Sequence, residues 1–149
     1  MSHSYTPSPH LLNVTYPSRA TQYREMQVLA ASPARLTVLL FDHLEVVMRR
    51  AQTAIRNDQI AQRVENLGRA REIISELLGT LDLERGGALA SDLSSLYAFL
   101  LGELIDVGMK RDAIRLGRLT GIVNTLSTAF AEATRQLEGA AATPLAASA

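Results

Sequence analysis

The residue types that most often carry catalysis are scarce in this chain. It has no Cys, which excludes thiol catalysis, iron–sulfur clusters and zinc–thiolate sites. Of the three histidines, His3 and His10 precede any helical pattern, and only His43 lies within one, next to Asp42. Neighbouring positions on a helix point about 100 degrees apart, so this pair does not converge on one ion or substrate atom. One alternative stays open: a helical-bundle enzyme or cofactor carrier with His43 and Asp42 as ligands.

Two further templates for chemistry are missing from the sequence. Glu-x-x-His, which places a carboxylate and an imidazole together in di-iron helical bundles, does not occur. Gly86-Gly87 is followed by no Lys-Ser or Lys-Thr pair and preceded by no strand pattern, so it does not predict a phosphate-binding loop. The sequence therefore predicts a protein that is not an enzyme and that binds neither a metal nor a cofactor.

The charge and hydropathy patterns exclude two classes of partner. Fifteen basic residues balance fifteen acidic ones, whereas nucleic-acid-binding proteins usually carry a basic surplus. The first residues contain no positive cluster followed by an apolar run, which a secretory signal would require. The longest apolar runs, Leu36 to Phe41 and Leu96 to Leu101, are too short to cross a bilayer. We therefore expect a cytoplasmic protein with no nucleic acid partner and no membrane insertion.

The elements that would position any site are helices. The chain has 149 residues, of which 47% are hydrophobic and only 5% aromatic, a composition typical of a single helical domain. Apolar residues recur at three- and four-residue spacing in four segments, over about residues 32–56, 60–81, 88–107 and 112–138. Ser32-Pro33 is a strong start signal, Asp112 predicts the cap of the fourth helix, and Gly108 and Gly139 predict helix ends.

Short connections between four long helices favour antiparallel neighbours. The sequence therefore predicts an all-α fold, an antiparallel up-down four-helix bundle over residues 21–138. Residues 1–20 are rich in Ser, Thr and Pro and predict a flexible arm with a small apolar group from Leu11 to Tyr16. A short helix from about Tyr23 to Leu29 would follow the arm. Residues 139–149 are rich in Ala and uncharged, and they predict a disordered tail.

The helices carry more apolar residues than one core stripe requires. The predicted stripes include Leu36, Leu40, Leu44, Val47, Val64, Leu67, Ile74, Leu77, Leu89, Leu93, Leu100, Leu104, Leu116, Leu119, Leu126, Phe130 and Leu137. The residues outside the stripes are Val38, Phe41, Met48, Ile55, Ile73, Phe99, Leu101, Ile105, Ile114 and Ile122. Phe41, Met48 and Ile55 repeat every seven residues and so predict a separate ridge. Such a surplus either widens the core or forms grooves for an amphipathic helix.

Three sequence motifs, in order, resemble the FliS family of flagellin export chaperones. The first runs from Tyr23 to Asp42 and contains Ala-Ser-Pro followed by a Leu-rich helix with an aromatic-Asp pair. The second, Ala70 to Asp82, ends in Leu-x-x-Thr-Leu-Asp. The third combines Glu84 to Ala90 with Leu93, Leu96-Tyr97 and the turn Gly108 to Asp112. The similarity spans about residues 23–134.

The resemblance implies a function. Members of this family are antiparallel helical bundles that bind the C-terminal helices of flagellin in the cytoplasm, prevent premature polymerisation and help delivery to the flagellar type III export gate. Their N-terminal segment covers part of the client groove, so the arm would act as a lid. An adaptor for another amphipathic helix, from a different export substrate or a regulator, remains an alternative. Combined with the surplus apolar positions, the partner-binding residues predicted are Tyr23, Val28, Val38, Phe41, Met48, Leu101, Ile114 and Ile122.

The sequence also departs from the family pattern. Phe41-Asp42-His43 stands where the family usually has Tyr-Asp-Gly, and Gly102-Glu103 stands where it often has two arginines. The loss of positive charge weakens the case for a charge-based client contact on the third helix. We interpret Gly102 as a point of close approach by a neighbouring helix, since Gly inside a helix costs about 1 kcal/mol relative to Ala.

Overall fold

The computed structural model describes residues 32–142, and this part of the chain forms four helices with no strand. The helices are α1 (Pro33–Arg56), α2 (Ile60–Gly79), α3 (Gly87–Lys110) and α4 (Ala113–Ala142). The prediction of an all-α protein is confirmed. The predicted arm, the short helix near Tyr23 and the client contacts Tyr23 and Val28 lie outside the described residues.

Local sequence signals explain most of the helix ends. Ser32 caps α1, because its Oγ accepts a hydrogen bond from the backbone N–H of Arg35 at 3.2 Å. Asp112 caps α4 in the same way, accepting from the N–H of Arg115 at 3.0 Å. The predicted end of α3 at Gly108 is wrong, since the helix continues to Lys110 and stops at Arg111, which adopts a left-handed conformation with φ of 52°.

Gly108 and Gly139, which were predicted to end helices, both lie inside them. A methyl group at Gly108 would lie 3.1 Å from Cδ1 of Leu67, so this glycine allows α3 to approach α2 closely. Helix α4 passes through Gly139 and reaches Ala142. A lone glycine therefore did not mark a helix end in either case.

Helix α1 holds the described part together. It packs closely on both α2 and α4, α2 also packs on α3, and α3 has the sparsest contacts, with α4. Two hydrogen bonds between α1 and α4 show their relative direction. Asp42, in the first half of α1, accepts a hydrogen bond from Ser127 in the middle of α4 at 3.1 Å. Gln52, near the end of α1, donates one to the carbonyl of Ala113, the first residue of α4, at 2.9 Å. These two helices therefore run in opposite directions.

The core corrects several assignments made from spacing. Phe41 and Met48 are completely buried and Ile55 is buried beside them, so the prediction that they form a ridge outside the core is wrong. Ile73 is also buried rather than surplus. The physical reason is that α1 has two close neighbours, α2 and α4, and so buries a wide arc instead of a single stripe. Stripe residues found exposed instead are Leu36, Val64, Leu89 and Leu137.

Helix α3 has an unusual balance of composition and burial. By length and composition it would be apolar enough to cross a membrane, although only 28% of its most apolar stretch is buried. The side chains that it buries in the core are Ala90, Leu93, Tyr97, Leu100, Leu104 and Val107. Such core contacts are expected of a helix in a folded bundle, and the remaining apolar surface of α3 is therefore available to a partner.

Replacing Phe41 tests its placement in the core. Its ring lies 6.3 Å from that of Tyr97 and 5.2 Å from that of Phe130, between ring centroids. Phe41→Ala should lower the free energy of unfolding by about 3–5 kcal/mol, because it leaves a cavity among α1, α3 and α4. The matched control is Phe99→Ala, which removes a ring that is 50% exposed and should cost less than about 1 kcal/mol. Equal losses in urea denaturation would contradict this placement.

Replacing Gly102 tests the interpretation that it allows close approach. A methyl group there would meet no atom within 4 Å, so that interpretation is wrong. Gly102→Ala should raise the free energy of unfolding by up to about 1 kcal/mol through helix propensity alone. At Gly117, in contrast, a methyl group would lie 2.7 Å from Nε2 of Gln52 and would disturb its bond to α4. Thermal denaturation should show a clear gain only for Gly102→Ala, and a larger gain for Gly117→Ala would refute the argument.

Candidate functional site

The boundary between α3 and α4 is the best candidate for a binding surface. These two helices make the sparsest contacts of the neighbouring pairs. They are tied at the end near their connecting turn, where Arg115 of α4 forms ion pairs with Glu103 and Asp106 of α3. Beyond this turn, several apolar residues on the same helix faces are only partly covered. The two helices are therefore joined by ion pairs at one end, and they leave partly exposed apolar side chains beyond it.

The ion pairs at the turn are partly shielded from solvent. The side chain of Glu103 is 18% exposed and that of Asp106 is 29% exposed. A hydrogen bond from Lys110, and then one from Arg115, lowers the pKa of Asp106 below its ordinary value, while partial burial acts in the opposite direction. The bond to Glu103, and then that to Asp106, raises the pKa of Arg115. Asp106 and Arg115 therefore stay charged at neutral pH, and their ion pair holds α3 and α4 together near the turn.

The face of α4 that carries Arg115 is fully covered only near the turn. Leu119, one turn beyond Arg115, is only 3% exposed. Ile122 is 38% exposed, and Leu126 and Phe130 are half-buried against the core. Leu137, near the far end of the helix, is 66% exposed. These residues follow at three-, four- and seven-residue intervals and so share one face, and beyond Leu119 each of them leaves apolar surface uncovered.

Helix α3 supplies the opposite side. Phe99 follows Leu96 by three residues, and Glu103 follows Phe99 by four. Helical spacing therefore places Leu96 and Phe99 on the face that carries the ion pair with Arg115. Leu96 is half-buried and Phe99 is half-exposed. Tyr97 contacts Phe41 beneath them, and burial raises its pKa to about 12, so its phenol stays neutral. We define the apolar seam as the set Leu96, Phe99, Ile122, Leu126, Phe130 and Leu137.

The structure places the predicted partner-binding residues in different surroundings. Phe41 and Met48 are core residues and have no surface to offer. Ile122 lies at the apolar seam, whereas Ile114 is 70% exposed at the opposite end of α4, in its first turn. Leu101 is half-buried against the core. Val38 is half-buried on α1. The six predicted residues that lie within the described part of the chain therefore do not form one surface.

The residues that the sequence analysis missed were hidden by their regular spacing. Leu126, Phe130 and Leu137 continue the core stripe of α4 without interruption, so nothing in the sequence marks them as surface. Their exposure follows from the sparse packing of α3 on α4. The available signal was Phe99, an aromatic residue off the stripe of α3, which does lie at the surface.

The chemistry of this surface is that of binding. Within residues 32–142, no group of three or more His, Asp or Glu side chains is placed to hold a metal ion. His43 is exposed, and the carboxylate of Asp42 accepts a hydrogen bond from Ser127. The apolar seam offers adjacent aliphatic and aromatic side chains, a surface suited to the apolar stripe of an amphipathic helix.

Comparison with known proteins gives a consistent result. Residues 16–137 match the family described as flagellar protein FliS. The flagellar secretion chaperone FliS of Salmonella typhimurium is 30% identical over 107 residues, which cover 71% of this chain and 79% of that protein. The protein of the same name from Bacillus subtilis is 31% identical over 113 residues, covering 76% and 84%. That from Campylobacter jejuni is 33% identical over 110 residues, covering 74% and 86%.

The ion pairs at the α3–α4 turn predict a specific pH dependence. Because the pKa of Asp106 is lower in the folded protein than its ordinary value of 3.8, its contribution to stability is present above that value and is lost as pH falls through the folded-state pKa. Asp106→Asn should therefore lower the midpoint of thermal unfolding at pH 7, and the difference from the wild type should shrink towards about pH 2.

The matched control for this prediction is Asp92→Asn. Asp92 is an exposed carboxylate on the same helix, and no ion pair is formed by it within the described residues. Its replacement should leave the midpoint almost unchanged at both pH values, as expected of an isolated surface charge. A difference between wild type and Asp106→Asn that grows as the pH falls would contradict the ion-pair account.

Proposed function

Because this chain belongs to the FliS family of flagellar proteins, we propose that it is an export chaperone that binds the C-terminal helical segment of flagellin. Binding occurs in the cytoplasm, keeps the subunit from polymerising prematurely and aids its delivery to the flagellar type III export apparatus. The family match over most of the chain supports the class of function. The observation that carries the binding mode is the apolar seam, whose side chains are half-buried or exposed although they lie where α3 and α4 meet.

The fold proposed for this role is an antiparallel up-down bundle whose N-terminal arm acts as a lid. The contacts of α1 with α2 and α4, of α2 with α3 and of α3 with α4 close a ring of four helices, which supports such a bundle. In the proposed cycle, the arm and the short helix predicted after it cover part of the client-binding surface until the flagellin segment replaces them. Exchange of one apolar segment for another keeps the net affinity moderate, because ordering of the client opposes binding.

The described residues favour an apolar rather than a charge-based client contact. Where the family often has two arginines, this chain has Gly102 and Glu103, and Glu103 is already paired with Arg115. The charges near the α3–α4 turn therefore satisfy each other within the chain. Recognition of the client then depends on the apolar seam, and the protein performs no catalysis.

A second candidate client is another amphipathic helix from a different export substrate. The apolar seam by itself selects helices with an apolar stripe and does not distinguish among their sources. Flagellin is favoured because of the family to which the chain belongs. The two possibilities separate when flagellin and another export substrate compete for the purified protein.

A binding measurement tests the apolar seam. The flagellin C-terminal segment, titrated into the purified protein, should bind at micromolar concentration or below and gain helicity by circular dichroism. The double variant Phe99→Ala/Ile122→Ala should weaken binding by about tenfold or more, since each removes a partly exposed apolar contact worth about 1 kcal/mol or more when covered by a partner.

The control for the binding measurement is Ile60→Ala. Ile60 is 59% exposed in the first turn of α2, so the variant removes a side chain of the same type as Ile122 from a helix that is not part of the seam. It should change the affinity by less than about twofold. An equal loss for the control and the double variant would refute the seam as the client site, and the absence of any binding by the wild type would refute the proposed function itself.

A further inference from the structure

A second groove lies on the other side of α3, between α2 and α3. It has a volume of about 350 Å³. Leu67, which is buried, and Gly108, which is half-buried, approach each other closely at its floor. Val64, Ile105 and Met109 contribute exposed apolar side chains to its walls. The groove is thus an elongated apolar surface that two packed helices hold in place.

The charges around this groove are all of one sign. Its lining includes Arg63, Arg71 and Arg111 and no acidic residue. None of these three guanidinium groups is paired with a carboxylate among the described residues. The whole chain has a formal net charge of zero, so a cluster of three unpaired arginines is a local concentration rather than a reflection of overall composition.

Nearby acidic side chains are engaged elsewhere and do not neutralise the groove. Glu72 and Glu76 of α2 both contact Arg69, at 2.9 Å and 3.7 Å. On α3, Asp106 pairs with Lys110 at 3.2 Å and with Arg115. The positive potential of the α2–α3 groove is therefore available to an incoming carboxylate, for which the planar guanidinium group is a suitable donor.

We propose that the α2–α3 groove is a second docking site, whose occupant is an acidic amphipathic helix of another protein. The apolar stripe of such a helix would cover Val64, Ile105 and Met109, and its flanking Glu or Asp side chains would pair with the three arginines. The seam for the flagellin segment lies on the opposite side of α3, so both segments bind at once. The chaperone then links its client to a second, acidic partner.

Charge complementarity distinguishes this occupant from segments of the chain itself. Residues 1–31 contain Arg19, Arg24 and Glu25, a formal surplus of one positive charge that the arginines would repel. Residues 139–149 carry no charge and so could form no ion pair with the three arginines of the groove. A segment with apolar residues at helical spacing and acidic flanks gains from both parts of the groove.

The test uses two synthetic amphipathic helices of about 18 residues with the same Leu stripe, one flanked by Glu and the other by Lys. Titrated into the Phe99→Ala/Ile122→Ala variant, whose seam is weakened, the Glu peptide should bind at least about tenfold more tightly than the Lys peptide, and more weakly as salt rises. Arg63→Gln/Arg71→Gln should reduce the affinity for the Glu peptide by about tenfold. The matched control Arg118→Gln, an exposed arginine of α4 outside the groove, should reduce it by less than about twofold.

The absence of Cys allows the position of the probe to be measured directly. A polarity-sensitive dye on Met109→Cys, which is exposed at the groove, should shift its emission when the Glu peptide binds. The same dye on Leu89→Cys, equally exposed at the other end of α3, should not shift. Equal shifts, equal binding of the two peptides, or no binding up to about 100 μM would overturn the proposal.

Two competition measurements complete the test. The flagellin segment should leave the Glu peptide bound at the groove, as reported by the dye on Met109→Cys. Loss of the dye shift would show that the groove belongs to the client site, which overturns the second partner but leaves the proposed function intact. A peptide of residues 1–31 should not displace the Glu peptide either. Displacement by that peptide would identify the chain's own N-terminal segment as the occupant and overturn the proposal.

Discussion

The burial of α1 between α2 and α4 is the constraint on which the rest of the structure depends. Because α1 packs closely on both neighbours, its apolar arc is wide enough to bury Phe41 as well as Leu44, Val47 and Met48. Helix α3 then completes the core mainly from α2, and its remaining boundary with α4 is the least filled. The apolar seam thus follows from the way that α1 distributes its contacts, and no residue of the seam needs an unusual conformation to be exposed.

The sequence predicted the elements well because their ends are encoded locally. Ser32-Pro33 and Asp112 satisfy the free amides of a first helical turn wherever the helix lies in the fold. Which helix faces are buried was harder to predict from the sequence. A helix packed between two neighbours and a helix that binds a partner have the same surplus of apolar residues. Phe41 and Ile122 both lay off the predicted stripes; one is completely buried and the other is partly exposed. Only the identity of the neighbouring helices decides between these outcomes.

In the candidate site, residues that the spacing places in the core are instead partly exposed. Leu126, Phe130 and Leu137 were assigned to the core because they continue the spacing of Leu116 and Leu119. A stripe of constant period cannot indicate where a neighbouring helix stops covering it. Exposure along α4 instead depends on α3, which is tied to it at one end by Glu103, Asp106 and Arg115. Long-range contacts of this kind are invisible to a pattern read along the chain.

Helix α3 lies between the two proposed binding surfaces, which differ in their charge. On the side that faces α4, Glu103 and Asp106 are paired with Arg115, so we expect the seam to select its ligand by shape and apolar area. Towards α2 the groove retains unpaired arginines, and a charge-rimmed surface favours rapid, salt-sensitive association with an acidic partner. Because the groove rewards acidic flanks and the seam has no such preference for charge, the acidic helix gains most at the groove, and the seam stays open to the client. That separation would let the client leave without disturbing the second partner.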